Sequence, residues 1–432
     1  MAFAASILDG KTRLENCPYI TEKDRLRVEG LIAAPVAKLT FGKRRPLTIG
    51  EARVMHRHEL KFYNPTPVAV EVPDSLNEIQ ISTALKNALE IKVDRLGETF
   101  GVDAIAITCS GETAPYARAV RHVAKSSDLP IILNCTSTEA LEAGLEVCCN
   151  EKPMIFAATR ERLDAYAELA KKFNAPLVLA DKDLGELRLM AKKASAYGLD
   201  IALCPVASSL AEAIRNQITV RRAAIENKIL EFGHPIIGIP TSLISSVHSP
   251  EELWWRESLV ASALLFRYAD LIILRYAGLE TVLPIITLRH GVFSDPKIPA
   301  KVKAGLHELG SPRSDSQVLL TVNYALTFYL VSGDIDRAGI DCYLLVVETG
   351  GMSVLNALAC GQMQSRSIAD LIKETDLESK VSHKHLIIPG LAARLRGEIE
   401  ELSGWQIFVG PAESRDIPQY LKHKLAESDG AG

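Results

Sequence analysis

From about residue 66 the chain sets short apolar runs, four or five residues long, between longer stretches in which apolar positions recur every three or four residues. Runs of the first kind mark strands buried on both faces, and the second mark helices with one face on a core. Their alternation therefore predicts a parallel sheet built from βα units. The predicted strands are Val68–Val72, Ala104–Thr108, Ile131–Asn134, Met154–Ala157, Leu177–Ala180, Ile201–Cys204, Ile236–Ile239 and Leu271–Leu274. Eight such strands, separated by amphipathic segments such as RERLDAYAELAKKFNA (Arg160–Ala175), fit a (β/α)8 barrel better than an open sheet. Ligands of such barrels are met at the strand C-termini, which places Thr108, Asn134, Asp181 and Thr241 on the working face.

The polar stretch GSPRSDSQ (Gly310–Gln317) reads as a linker, and a second α/β set follows it. Its predicted strands are Val318–Val322, Tyr343–Val347, Leu386–Ile388 and Gln406–Val409, with helical patterns between them, which gives a doubly wound domain. Residues 18–65 are mixed, and RHELKFYNPTPVAVEV has the proline spacing of an extended lead-in.

Composition narrows the partners. The chain has 432 residues, 47% hydrophobic and 24% charged, enough for two or three domains. Its 49 Lys and Arg against 53 Asp and Glu leave a net charge of −4, so no basic footprint for nucleic acid is present. No apolar run reaches the roughly 18 residues of a membrane span, and no basic segment precedes the short apolar stretch in MAFAASILDG. The expectation is a cytoplasmic protein without membrane or nucleic-acid partners. Of the eight cysteines, Cys109, Cys135, Cys204 and Cys342 fall at or near apolar strands and read as small buried hydrophobes, while the adjacent Cys148 and Cys149 stay unassigned.

Candidate chemistry gathers at the strand ends of the second α/β set. Thr321 and Asn323 end its first strand, Gly350 and Gly351 follow the second, Pro389 and Gly390 the third, Gly410 and Pro411 the fourth. Small residues at such crests let a large flat ligand approach backbone amides and helix N-termini. The Gly-Gly loop has no following lysine and no G-x-G-x-x-G, which removes the common phosphate loops, and Ser353 reads equally as a helix N-cap.

Four stretches carry a family resemblance: TVNYALTFYLVSGDI (Thr321–Ile335), ETGGMSVLNALACGQM (Glu348–Met363), VSHKHLIIPGLAARLRGEIEEL (Val381–Leu402) and WQIFVGPAESRDIPQYLK (Trp405–Lys422). In that order they resemble the corrinoid-binding domain of the large (gamma) subunit of the corrinoid iron-sulfur protein, of the acetyl-CoA synthase and decarbonylase systems. HRHELKFYNPTPVAV resembles that family's approach to its barrel.

The resemblance implies a TIM barrel followed by a Rossmann-like, flavodoxin-like corrinoid-binding domain. It also implies a methyl carrier that holds cobalamin base-off and has no catalytic residue of its own. The methyl group would come from methyl-tetrahydropterin through a partner methyltransferase and pass to acetyl-CoA synthase. A small (delta) subunit would complete a heterodimer, and a reductive activator would serve the cobalt. Corrinoid contacts would fall on Thr321, Asn323, Thr349, Gly350, Gly351, Met352, Ser353, Val354, Leu355, Pro389, Gly390, Gly410, Pro411 and Ala412. The D-x-H-x-x-G loop that gives many cobalamin proteins a histidine under cobalt is absent, and His383 and His385 read as surface or capping residues.

The N-terminus departs from the family, which holds a four-iron four-sulfur cluster in a C-x2-C-x4-C-x16-C run. Cys17 aligns with the fourth ligand and the first three are missing, so the chain as given is not expected to carry the cluster. A truncated start or a start codon assigned too late accounts for this, with natural loss as the other reading. The expected division is 1–20 as a remnant of the iron-sulfur domain, 21–65 as lead-in, 66–309 as barrel, 310–317 as linker and 318–432 as corrinoid-binding domain. Two rivals remain: a pterin-dependent methyltransferase acting through its barrel, and a cofactor-free scaffold. If the Gly-Gly loop itself touches the corrinoid, Gly351→Val loses the cofactor while the chain stays folded.

Overall fold

The computed structural model describes residues 21, 34–95, 98–244, 249–297 and 299–422. The chain divides into two compact units, residues 1–93 with 99–294, and residues 94–98 with 295–432.

The first unit opens with an antiparallel hairpin, β1 (Lys38–Phe41) and β2 (Leu47–Gly50). Next come β3 (Val68–Pro73), the short pair β4 (Val93–Arg95) and β5 (Glu98–Phe100), then β6 (Ala104–Thr108) and β7 (Ile131–Asn134). They are followed by β8 (Met154–Ala158), β9 (Leu177–Asp181), β10 (Ile201–Pro205), β11 (Ile237–Gly238) and β12 (Leu271–Leu274). Eight of these lie parallel in the order β10-β9-β8-β7-β6-β3-β12-β11, and a parallel bridge from Leu203 to Ile236 nearly closes the barrel. Each of the eight predicted strands overlaps one of them. The intervening helices start where the sequence supplies caps. Asn77 and Gln80 form a reciprocal capping box for Glu78–Glu90, Asp183 caps Leu184–Ala196, and Ser209 caps Leu210–Ile225.

The barrel interior is filled by small and branched side chains, among them Ala69, Ala104, Ala106, Ile132, Val178 and Ala202, and the hairpin's Leu39, Phe41 and Ile49 pack onto them. The hairpin meets the N-terminal end of the strands. Gly42 donates to the Lys152 carbonyl at 2.9 Å, and a Cβ on Gly50 would stand 2.8 Å from Pro235. Residues 38–50, read from sequence as part of a lead-in, therefore stopper one end of the barrel. That same end is stitched by two aspartates placed just before strands. Asp103 accepts from the Val68 amide at 2.9 Å and from Arg289 at 2.5 Å; Asp270 accepts from the Ile236 amide at 2.7 Å and from Arg221 at 2.5 Å. Arg289 and Arg221 are buried, so each pair binds a helix to the start of a neighbouring strand where solvent screening is weak.

The second unit is a five-stranded sheet of β13 (Gly305–Leu309), β14 (Gln317–Val322), β15 (Cys342–Val347), β16 (His385–Ile388) and β17 (Gln406–Val409). Its order is β13-β15-β14-β16-β17, with β13 antiparallel to β15 and the rest parallel. The stretch Gly310–Gln317 thus runs between two strands of one sheet and does not separate the units. Helix Ala325–Arg337 packs on one face through Phe328, Val331 and Ile335. Val354–Ala359, Ser365–Glu374 and Arg396–Ser403 pack on the other, through residues such as Ala357, Ile368 and Ile399. Among the described residues no helix is long and apolar enough to cross a membrane.

Phe41 is fully buried against the barrel interior. Phe41→Ala is expected to cost about 3–5 kcal/mol, read as a lower chemical denaturation midpoint followed by circular dichroism.

Candidate functional site

In the second unit the parallel strands run β15-β14-β16-β17, so the chain moves outward from β14 first to one side and later to the other. Ligand crevices of open α/β sheets form outside the strand carboxyl ends at such a reversal. The ladder between β14 and β16 consists of one register pair, Leu319 with Ile387, which leaves Thr321 without a β16 partner. A cavity of about 250 Å³ opens here, walled by the ends of β14 and β16, by the loop after β17 and by helix Ala325–Arg337.

Of the residues singled out from sequence, Thr321, Ser353, Val354, Leu355, Pro389, Gly410, Pro411 and Ala412 line this cavity. Thr321 is 1% exposed, and its hydroxyl has no hydrogen-bond partner among the described residues. Leaving such a group unpaired costs about 1–3 kcal/mol, the kind of deficit a ligand's polar atom removes. Gly390 does not line the cavity but sets its edge. Its amide donates to the Pro411 carbonyl at 3.0 Å, and a Cβ on it would stand 2.8 Å from the Gly410 carbonyl and 2.9 Å from the Ala412 amide. The two crest loops touch only because residue 390 has no side chain.

Asn323, Thr349, Gly350, Gly351 and Met352 lie outside the cavity lining. They form a closed hydrogen-bond knot. The buried Asn323 Oδ1 accepts from the Thr349 amide at 3.0 Å, the Thr349 hydroxyl at 2.9 Å and the Gly351 amide at 3.1 Å, while Nδ2 donates to Glu348 Oε1 at 2.8 Å. Gly350 and Gly351 have φ of 66° and 78°, the left-handed region that favours glycine. A Cβ on Gly351 would stand 3.0 Å from the Pro299 carbonyl. The Gly-Gly pair thus serves a tight turn, and Gly351→Val strains that turn before it reaches any ligand.

Glu348 takes part in the knot. Partial burial alone raises its pKa, but the Gly350 amide, the Asn323 amide and Lys301 outweigh that and hold it below the ordinary value of 4.5. Sequence reasoning also passed over Thr327, Leu330, Leu391, Ser414 and Tyr420 of the cavity wall. They carry no turn signature, and only helix or loop packing brings them there.

Residues 38–421 match the family model described as CO dehydrogenase/acetyl-CoA synthase delta subunit. The acetyl-CoA decarbonylase/synthase complex subunit gamma of Methanothermobacter thermautotrophicus is 37% identical, over 99% of this chain and 94% of its own. The chain belongs to this family of subunits. A further member, the corrinoid/iron-sulfur protein large subunit of Moorella thermoacetica, is 33% identical over 99% of this chain and 94% of its own. The curated relatives thus carry the gamma or large-subunit designation, although the family model is described by the delta subunit. Among solved structures, dihydropteroate synthase from Thermus thermophilus superposes with a TM-score of 0.41 at 14% identity, covering 58% of this chain and 98% of that one.

The other residues singled out from sequence do not line the cavity. At the barrel's C-terminal end Glu71, which the sequence did not single out, accepts from Thr108 at 2.9 Å and from Asn134 at 3.4 Å. Asp181 accepts from the Asp183 amide at 2.8 Å, and Thr241 lies in a short 3-10 turn. Cys135, Cys204 and Cys342 are buried, with thiols that burial pushes up to about 12; Cys109 is half-buried. His383 and His385 stack at the N-terminal end of β16, opposite the crest. Cys17 lies outside the described residues.

Two outcomes follow from the geometry. Gly390→Ala is expected to destabilise the second unit by about 1–3 kcal/mol, because backbone has to move, and to change the cavity; thermal unfolding and a crystal structure of the variant check it. Glu348 stabilises the crest above the unfolded value near 4.5, and that contribution disappears as pH falls through the lower folded value. The protection factors of the amides of residues 348–352, exchange rates corrected for intrinsic pH dependence, are therefore expected to fall only below about pH 4.5, and Glu348→Gln to remove this dependence.

Proposed function

We propose that the chain is a methyl carrier that binds cobalamin base-off at the crest of its second unit, a Rossmann-like corrinoid-binding domain. It would pass a methyl group between methyl-tetrahydropterin, through a methyltransferase, and acetyl-CoA synthase. The observation that carries this reading is the coincidence of the strand-order reversal, the unpaired Thr321 hydroxyl and the side-chain-free contact at Gly390, all at one cavity in a chain of this family. Bound there, the corrinoid would supply a cobalt centre that takes up and releases a methyl group.

The cavity's size shapes the pose. At about 250 Å³ it falls below the roughly 300–1,000 Å³ of enclosed ligand sites, so it takes a tail or an edge of the ligand while the macrocycle rests on the crest. Leu330, Leu355 and Leu391 line the cavity yet remain 50%, 61% and 48% exposed, and they offer an apolar seat that excludes water from one face of the ring. Thr321 supplies a hydrogen-bonding hydroxyl at the β14 end, and Ser353 and Ser414 add polar groups to the wall. The lining includes no histidine or cysteine, so the part of the ligand that enters the cavity would meet neither imidazole nor thiolate. The small (delta) subunit is the partner proposed to cover the opposite face.

A pterin-dependent activity of the barrel has weaker support. The Asn134 amide that would meet a pterin is already engaged with Glu71 and with the Thr108 hydroxyl at 3.2 Å.

The test is reconstitution of the full chain with hydroxocobalamin, gel filtration and a visible spectrum. The expected product is coloured and base-off; a colourless protein removes the carrier reading and favours a scaffold. Thr321→Val, nearly isosteric, is expected to weaken binding by about tenfold, the equivalent of one hydrogen bond of about 1.4 kcal/mol. Methyl transfer from methyl-tetrahydrofolate to free cobalamin by the isolated chain would revive the barrel reading.

A further inference from the structure

The chain enters the second unit through a segment that is tied across its crest. The Val302 amide donates to the Asn323 carbonyl at 2.9 Å, the Ala325 amide donates to the Ala300 carbonyl at 3.0 Å, and Lys301 forms an antiparallel bridge with Tyr324. The Lys301 ammonium lies 3.4 Å from Glu348, and the Pro299 carbonyl faces the Gly351 turn. The strap therefore covers the β14/β15 half of the crest, where Asn323 and Thr349–Gly351 lie, and the cavity occupies the β14/β16 half. None of Pro299–Val302 lines the cavity.

Asn323 joins the two halves. Its backbone carries the strap, its Oδ1 holds the Thr349–Gly351 turn, and its Nδ2 orients Glu348 toward Lys301. Two residues before it, on β14, is Thr321, and two residues past Gly351 is Ser353, both in the cavity wall. A ligand that orders Thr321 and Ser353 thereby orders the two segments that Asn323 ties together, and these hold the strap. Binding free energies are reciprocal, so fixing the strap must favour the ligand by the same factor.

We propose that Asn323 is a positioning residue that couples the Pro299–Val302 strap to the ligand cavity, so that occupancy of the cavity tightens the strap and release of the strap weakens binding. This rests on the corrinoid reading of the cavity and adds to it a route by which the chain's entry segment senses the load.

The experiment is amide hydrogen exchange on the full chain, with and without hydroxocobalamin, read over residues 299–304, together with the affinity from the visible spectrum. In the wild type the cofactor is expected to slow exchange of the strap. Asn323→Ala is expected to lose that slowing and to bind cobalamin roughly tenfold more weakly, within the usual range of coupling between sites. Asn323→Asp keeps the acceptor for Thr349 and Gly351 but sets a second carboxylate against Glu348; it is expected to free the strap, and adding Glu348→Gln is expected to restore it. A residue that served folding alone would not show that rescue. Cobalamin binding with unchanged strap exchange overturns the coupling and leaves the corrinoid reading standing. Failure of the wild type to bind cobalamin overturns both. If Asn323→Ala does not fold, the Asn323→Asp and Asn323→Asp/Glu348→Gln pair decides by the same two readouts, absence of rescue counting against the proposal.

Discussion

The second unit is organised by the way its sheet parts at β14. After β14 the chain crosses one face through helix Ala325–Arg337 and lands on β15; after β15 and β16 it crosses the other face. Helices that depart to opposite faces cannot cover the crest between β14 and β16. With the ladder there reduced to Leu319 and Ile387, no residue of β16 pairs with Thr321, and a cavity opens at that end of the two strands. The isolated hydroxyl of Thr321 lies in the wall of that cavity, and the contact between the Gly390 and Gly410 loops, after β16 and β17, sets its edge.

The two ends of the same strand crest differ sharply in how their polar groups are satisfied. The Asn323 side chain makes four hydrogen bonds within the chain, whereas Thr321, two residues earlier and equally buried, makes none through its hydroxyl. A folded chain gains stability by closing such networks, and an unclosed one is tolerated where something else completes it. The satisfied half is internally tied and the unsatisfied half leaves a hydroxyl open to the cavity, so under the proposed reading neighbouring residues would take different tasks. Sequence placed both among the expected corrinoid contacts, because residue type at a strand end does not reveal which partners the fold will bring.

What could be read from sequence follows from how strongly burial constrains composition. Parallel strands covered on both faces must be apolar throughout, so Ile131–Asn134 or Leu271–Leu274 announce themselves. The hairpin of Lys38–Phe41 and Leu47–Gly50 and the edge strand Gly305–Leu309 are covered unevenly and carry Lys38, Thr48, His307 and Glu308, so no continuous run marks them. The crest loops were legible through Gly390 and Gly410, because close backbone approach leaves a compositional trace. Leu330 and Tyr420 left none: a leucine or tyrosine on a helix reads as ordinary packing, and only the tertiary arrangement turns it toward a cavity.

A carrier must satisfy a constraint that an ordinary binding site does not. Its ligand has to be held firmly and yet remain reachable by more than one reaction partner, which argues against a closed pocket. The crest meets both demands by dividing them. A small cavity with a defined polar group would retain part of the proposed ligand, and the open leucine rim would leave one broad face uncovered. Half-exposed leucines of this kind forgo part of the roughly 1.5–3 kcal/mol that full burial of each would contribute. Under the carrier reading that unrealised burial would be gained when ligand and partner cover the rim, so the surface left open in the empty unit would contribute to holding the load.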